Sequence, residues 1–100
     1  MSSLVRLDLN AERFQRDLFK LESDQQLALL STFRKIAQMT WEQVYRDKGL
    51  HWEAIETHAG KNKERLYSLR ITLKFRAVAY RDGNLMRCVS LHPDHDSACQ

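Results

Sequence analysis

Arg70, Lys74, Arg76 and Arg87, with His92 behind them and Glu53 ahead, are the residues whose types and spacing point to chemistry. They fall in or beside residues 67–80, Tyr-Ser-Leu-Arg-Ile-Thr-Leu-Lys-Phe-Arg-Ala-Val-Ala-Tyr, then the turn signal Asp82-Gly83, then Leu85–Leu91 running into His92. The pattern reads as consecutive strands that carry guanidinium groups and end on an imidazole. Guanidinium forks match phosphate oxygens bidentately and stabilise charge that builds on a phosphorus centre. His92 can give or take a proton near neutral pH, and Glu53, between Trp52 and Ala54, is a second proton-transfer candidate. A phosphodiester is the substrate class that suits this set. The plainer alternatives are solvated strand arginines, a strand-end surface histidine and a solvated glutamate. His95 has less positional support, His51 and His58 read as surface residues, and Trp41 and Trp52 as core or rim packing.

Strand parity decides which of these side chains can meet. Alternate residues share a face, so Ser68, Arg70 and Thr72 lie opposite the apolar set Tyr67, Leu69 and Ile71. Arg70 therefore leaves the core. In the next strand Arg76, Val78 and Tyr80 alternate with Phe75, Ala77 and Ala79, and strand register decides whether Arg76 reaches the same face or the rim.

Upstream elements must supply the layer behind this sheet. Residues 4–9 alternate as a half-buried strand does, and Asn10 offers an N-cap for a helix over 11–21 carrying Phe14, Leu18 and Leu21. Ser23 or Asp24 offers a cap for a second helix, with Leu27, Leu30, Phe33, Arg34, Ala37 and Val44 as its stripe. Thr40 can cap a new short segment, which leaves open whether that helix runs unbroken to Arg46; Gly49 ends the helical region. Residues 52–56 fit either a strand or an ordered loop, and 57–64 read as a polar loop. A meander over 66–72, 75–81 and 85–91 follows, then a short, loose polar tail from Pro93. The expected architecture is α+β in two layers, ordered β-α-α-β-β-β. Its N-terminal strand and two helices pack on one face of an antiparallel sheet. Phe14, Leu18, Leu27, Leu30 and Phe33 should cover that face, leaving the other open for a ligand.

One hundred residues suffice for a single domain, 1–100, with one modest core. A hydrophobic fraction of 43% with 29% charged residues excludes a disordered tail. No apolar run is long enough for a membrane span, and the first residues lack the apolar centre of a signal peptide, so a cytoplasmic protein is expected. Cys88 in a strand and Cys99 near the end read as two separate thiols. A zinc site from Cys88, His92, His95 and Cys99 would need strand and tail to fold back sharply. Net charge is only +3, but its distribution is uneven: Lys61, Lys63, Arg65, Arg70, Lys74, Arg76, Arg81 and Arg87 face only Glu64 and Asp82. A concentrated basic half is the footprint of a phosphate-binding surface.

The segments Tyr67-Ser-Leu-Arg-Ile-Thr72 and Phe75-Arg-Ala-Val-Ala-Tyr80 resemble the paired strands of RelE/ParE-superfamily toxins, closest to the YoeB- and RelE-type branch that cuts messenger RNA on the ribosome. Cys88-Val-Ser-Leu-His92 is similar to that branch's final strand, and Gly49-Leu-His-Trp-Glu53 to its glutamate segment. The resemblance implies a metal-independent endoribonuclease without cofactors, the toxin of a type II toxin–antitoxin system. It assigns Arg76 to the scissile phosphate, Arg70 to the basic position before it, His92 to the general acid and Glu53 to the base that takes the 2′-hydroxyl proton. Lys63, Lys74, Arg81 and Arg87 become RNA contacts. The implied partners are messenger RNA in the ribosomal A site and a cognate antitoxin covering the basic face, with a homodimer or a toxin–antitoxin hetero-oligomer as the assembly and no membrane. Ser68 stands where RelE-type toxins carry a second basic residue, Pro93 stands where many relatives have tyrosine, and the basic C-terminal helix of some members is missing. Two alternatives share the scaffold without the nuclease: a ParE-like gyrase inhibitor, which generally lacks the arginine–histidine set, and an RNA- or protein-binding module.

Overall fold

The N-terminal alternation yields a short strand, β1 (Arg6–Asp8), which runs parallel to the last strand, β5 (Leu85–His92), with Arg6 opposite Leu85 and Asp8 opposite Arg87. A parallel pair needs a long crossover. Here it begins with three helices, α1 (Glu12–Lys20), α2 (Ser23–Ile36) and α3 (Trp41–Arg46), and continues through β2 (Glu53–Ala59), β3 (Arg65–Arg70) and β4 (Arg76–Asp82). The structure, a computed structural model, describes residues 3–59 and 64–94. Its strands form one sheet in the order β1-β5-β4-β3-β2, antiparallel except for β1. The α+β class is as expected, with a third helix and an additional edge strand; β1, expected to pack with the helices on the sheet face, instead joins the sheet edge in parallel beside β5.

Local chemistry explains where the helices start. The Asn10 N–H donates to the Asp8 carboxylate (2.9 Å), and Ala11, not Asn10, occupies the N-cap of α1. Glu22, not Ser23 or Asp24, caps α2, because its N–H reaches the Gln25 side chain (2.9 Å) in a reciprocal capping box. Thr40 and Gln43 close a second such box at the start of α3, which settles the break in the helical region. The Met39 carbonyl then accepts the Val5 N–H (2.8 Å), tying that break to the chain entering β1.

The core lies between the helices and one sheet face. Phe14, Leu29, Phe33, Ile36 and Val44 pack over Leu69, Ala77, Ala79, Met86, Cys88 and Leu91, all nearly inaccessible to water. The expected α2 stripe is corrected here: Leu27 and Leu30 are 67% and 59% exposed, whereas Leu29 and Ile36 join Phe33 in the core. Leu29, Phe33 and Ile36 fall within one narrow arc of a 3.6-residue helix; Leu27 and Leu30 lie well outside it. Ala77 and Ala79 on the central strand are small enough for the helices to sit close. At one edge, Trp41 of α3 meets Trp52 edge-on (5.2 Å between centroids), and Trp52 stacks on Tyr67 (4.7 Å).

A bulge in β5 decides what its end can do. Ala79 pairs with Cys88, but Val78 pairs with Ser90, so Val89 is an extra residue. Strict alternation from Met86 and Cys88 would send Ser90 and His92 into the core. The extra residue reverses the phase, so Leu91 enters the core and Ser90 and His92 turn to the opposite face.

Candidate functional site

On that second face, three neighbouring strands bring their ends into line. Arg70 of β3 is directly opposite Arg76 of β4, and Arg76 is directly opposite His92 of β5. Residues paired in this way project from the same side with Cβ atoms about 5 Å apart. Register thus carries Arg76 to the face of Arg70, and the bulge delivers His92 beside them. One step along the strands lies a second row, in which Glu53 pairs with Ser68, Ser68 with Val78 and Val78 with Ser90. Glu53, Arg70, Arg76 and His92 therefore occupy adjacent rows of one face.

The face is less open than expected. Its middle is buried, with Arg76 8% exposed, Val78 6% and Ser90 2%, while Arg70 and His92 are half-buried and Glu53 is exposed. A guanidinium in such surroundings feels and exerts a stronger field than one in water. The Arg70 Nε is buried without a hydrogen-bond partner among the described residues.

His92 is held from two sides. Its Nε2 lies 2.9 Å from the Ser90 hydroxyl, and the Leu91 N–H beside it donates to Asp17 of α1 (3.0 Å). Burial pushes the His92 pKa below the ordinary histidine value; nearby Arg13 pushes the same way, and Asp17 opposes them. Glu53 Oε2 lies 2.8 Å from His51 Nε2. His51 reads from the sequence as a surface residue and is exposed; it reaches Glu53 from a left-handed turn just before β2, a geometry that residue types and spacing do not signal. Ser90 was missed because only the bulge brings it to this face.

The expected RNA contacts divide. Lys74 is exposed in the turn joining β3 and β4, a turn fixed by the Ile71 N–H to the Phe75 carbonyl (2.8 Å) and the Phe75 N–H to the Thr72 hydroxyl (3.3 Å). Arg81 is elsewhere: it stacks over Trp41 (4.9 Å) and donates to the Tyr45 hydroxyl (2.8 Å), on the α3 side. Arg87 donates to Asp8 and Asp82, both at 2.8 Å, and these carboxylates, Asp82 first, raise its pKa and offset its charge. Neither arginine is brought to the Arg70–Arg76–His92 row. Lys63 lies outside the described residues.

No group of three or more potential metal ligands occurs among the described residues. Cys88 points into the core, where burial raises its thiol to about 12, and the bulge sends His92 to the other face. The two cannot share the zinc site considered from spacing; His95 and Cys99 lie outside the described residues. Two guanidiniums, an imidazole and a carboxylate on one face can hold a phosphodiester, balance charge gained at phosphorus and move a proton at either side of it.

The fold has solved counterparts. The archaeal RelE–RelB complex of Pyrococcus horikoshii OT3 contains a chain that superposes with a TM-score of 0.59 at 17% identity, covering 93% of this chain and 96% of that one. A copper-bound mutant toxin of Helicobacter pylori superposes with a TM-score of 0.52, also at 17% identity, covering 94% and 98%. No family model and no curated protein sequence matches the chain. The RelE-like fold expected from the strand motifs is the fold the chain has.

Proposed function

We propose that the chain is the toxin of a toxin–antitoxin pair and acts as a metal-independent endoribonuclease on messenger RNA held in the ribosomal A site. The observation that carries this reading is the alignment of Arg70, Arg76 and His92 across three strands, with Glu53 one row away. In the proposed reaction Glu53 takes the proton from a ribose 2′-hydroxyl, whose oxygen attacks the adjacent phosphorus. Arg76 and Arg70 bind the non-bridging oxygens as charge builds on them. His92, protonated, gives its proton to the departing 5′-oxygen. The bond to that oxygen breaks, leaving a 2′,3′-cyclic phosphate, or a 3′-phosphate once water opens the ring, and a 5′-hydroxyl.

Each role fits its surroundings. Burial of Arg76 strengthens its field at the phosphate, and Lys74 in the adjoining turn suits a backbone contact further along the RNA. The lowered pKa of His92 leaves it mostly neutral in the unliganded protein at neutral pH, and a bound phosphate anion would draw the proton back onto it. Likeness to a toxin chain solved with RelB supports an antitoxin as protein partner, and the absence of any helix long and apolar enough to cross a membrane among the described residues suits a ribosomal site of action.

Purified protein incubated with a defined messenger RNA, with and without translating ribosomes, tests the reading. Cuts that require ribosomes and leave cyclic-phosphate or 3′-phosphate ends are the expected result. Intact RNA in both reactions, together with inhibited DNA supercoiling by gyrase, would replace this reading with that of a same-fold gyrase inhibitor.

A further inference from the structure

We propose that His51 is a positioning residue for Glu53, holding the carboxylate in the orientation in which it accepts the 2′-hydroxyl proton; this role rests on the nuclease reading above. Three observations carry it. The His51 Nε2 lies 2.8 Å from Glu53 Oε2. A carboxylate can only accept, so Nε2 carries the proton, and binding one oxygen leaves the other for the substrate. The side chains are 46% and 65% exposed, and an ion pair that open to water adds little to stability.

The second observation is the His51 backbone. With φ at 50°, it is the non-glycine residue that adopts the left-handed region among those described. Glycine would occupy that conformation more readily, so the fold does not account for an imidazole here. Strain kept at a non-glycine position points to a use for its side chain.

The third is how firmly the segment is fixed to the arginine row. The preceding residue, Leu50, is buried, its N–H donates to the Asp47 carboxylate (2.8 Å), and its carbonyl accepts the N–H of Arg70 itself (2.7 Å). Asp47 is bound in turn by Lys35 (2.9 Å), and its carbonyl accepts the His51 N–H (3.3 Å). The left-handed turn, the ring that reaches Glu53 and the strand end bearing Arg70 are thus linked through consecutive hydrogen bonds. Movement of Glu53 relative to the phosphate-binding arginines is what this arrangement restrains.

Single-turnover cleavage of ribosome-bound messenger RNA by the wild type, His51→Gly, His51→Gln and Glu53→Gln, with thermal unfolding of each, tests the role. His51→Gly should unfold at the same temperature as wild type or higher, because the strain is relieved, yet cut at least about tenfold more slowly with unchanged half-saturation. His51→Gln, whose amide nitrogen replaces Nε2, should recover most of that loss. Adding His51→Gly to Glu53→Gln should cost nothing further. A glycine variant that cuts like wild type, or one that slows Glu53→Gln as much as it slows wild type, would overturn the role of His51 and leave the nuclease reading standing. A wild type that cuts nothing would overturn both.

Discussion

Arg70 stands directly opposite Arg76, and replacing it with methionine should make the protein more stable while removing activity. Its guanidinium stands opposite that of Arg76, and its buried Nε has no hydrogen-bond partner among the described residues. Like charges directly opposite on a sheet are destabilising on the scale of about 0.2–1 kcal/mol, and an unsatisfied buried donor costs about 1–3 kcal/mol. Arg70 is only half-buried, so water reaches part of the group and the low end of both ranges applies. Methionine keeps the unbranched stem, so most of the apolar packing survives. The net expectation is a gain of about 1 kcal/mol, which for a chain of this size raises the melting temperature by about 4–8 °C. Thermal unfolding followed by circular dichroism measures it. Repeating the melts between about 0.01 M and about 0.1 M salt, where the screening length falls from about 30 Å to about 10 Å, adds a control. Wild type should gain more stability from salt than Arg70→Met does. A variant that melts at or below the wild-type temperature, with the same salt response, would refute the claim that the placement of Arg70 opposite Arg76 and its unpaired buried Nε cost stability.

Two further predictions concern the folded state. Because the fold lowers the His92 pKa, it favours the neutral ring; the resulting stability is complete above the ordinary value of 6.5 and is lost as pH falls through the lowered one. Melting temperatures measured from neutral pH downward should therefore fall more steeply for wild type than for His92→Gln; parallel curves would remove this contribution. Leu29→Ala, at a site with no exposure, should cost about 2–5 kcal/mol in urea unfolding, whereas Leu27→Ala should stay within about 0.5 kcal/mol. Equal losses would mean that the helix faces the sheet differently.

The sheet and its arginines were legible because alternation is a local signal. Leu69 and Arg70 declare opposite faces by adjacency alone, and Asp82-Gly83 marks the hairpin that aligns β4 with β5. Helix phase was harder to read: the crowded leucines at 27, 29 and 30 allow more than one stripe, and tertiary packing selects Leu29. Strand β2 was obscured because residues 57–59, read as loop, are polar or small and lie on an edge strand, where burial imposes no strict pattern. At the candidate site, the residue types were visible, but their convergence was implied only by the family resemblance and not by the residues themselves. Arg76 meets Arg70 through register, and His92 reaches Arg76 only because Val89 is bulged. Neither pairing leaves a mark in composition or spacing. The same limit explains Arg81 and Arg87: as basic residues they resembled RNA contacts, and only folding puts Trp41 and Tyr45 beside one, Asp8 and Asp82 beside the other.

The central claim is that the row across β3, β4 and β5 is a phosphoryl-transfer site, and the rate at which Arg76→Ala cuts ribosome-bound messenger RNA tests it most directly. The account predicts a loss of at least about 100-fold relative to wild type, the scale for removing a transition-state donor, with the far-ultraviolet spectrum unchanged. A folded Arg76→Ala protein that cuts as fast as wild type would contradict it.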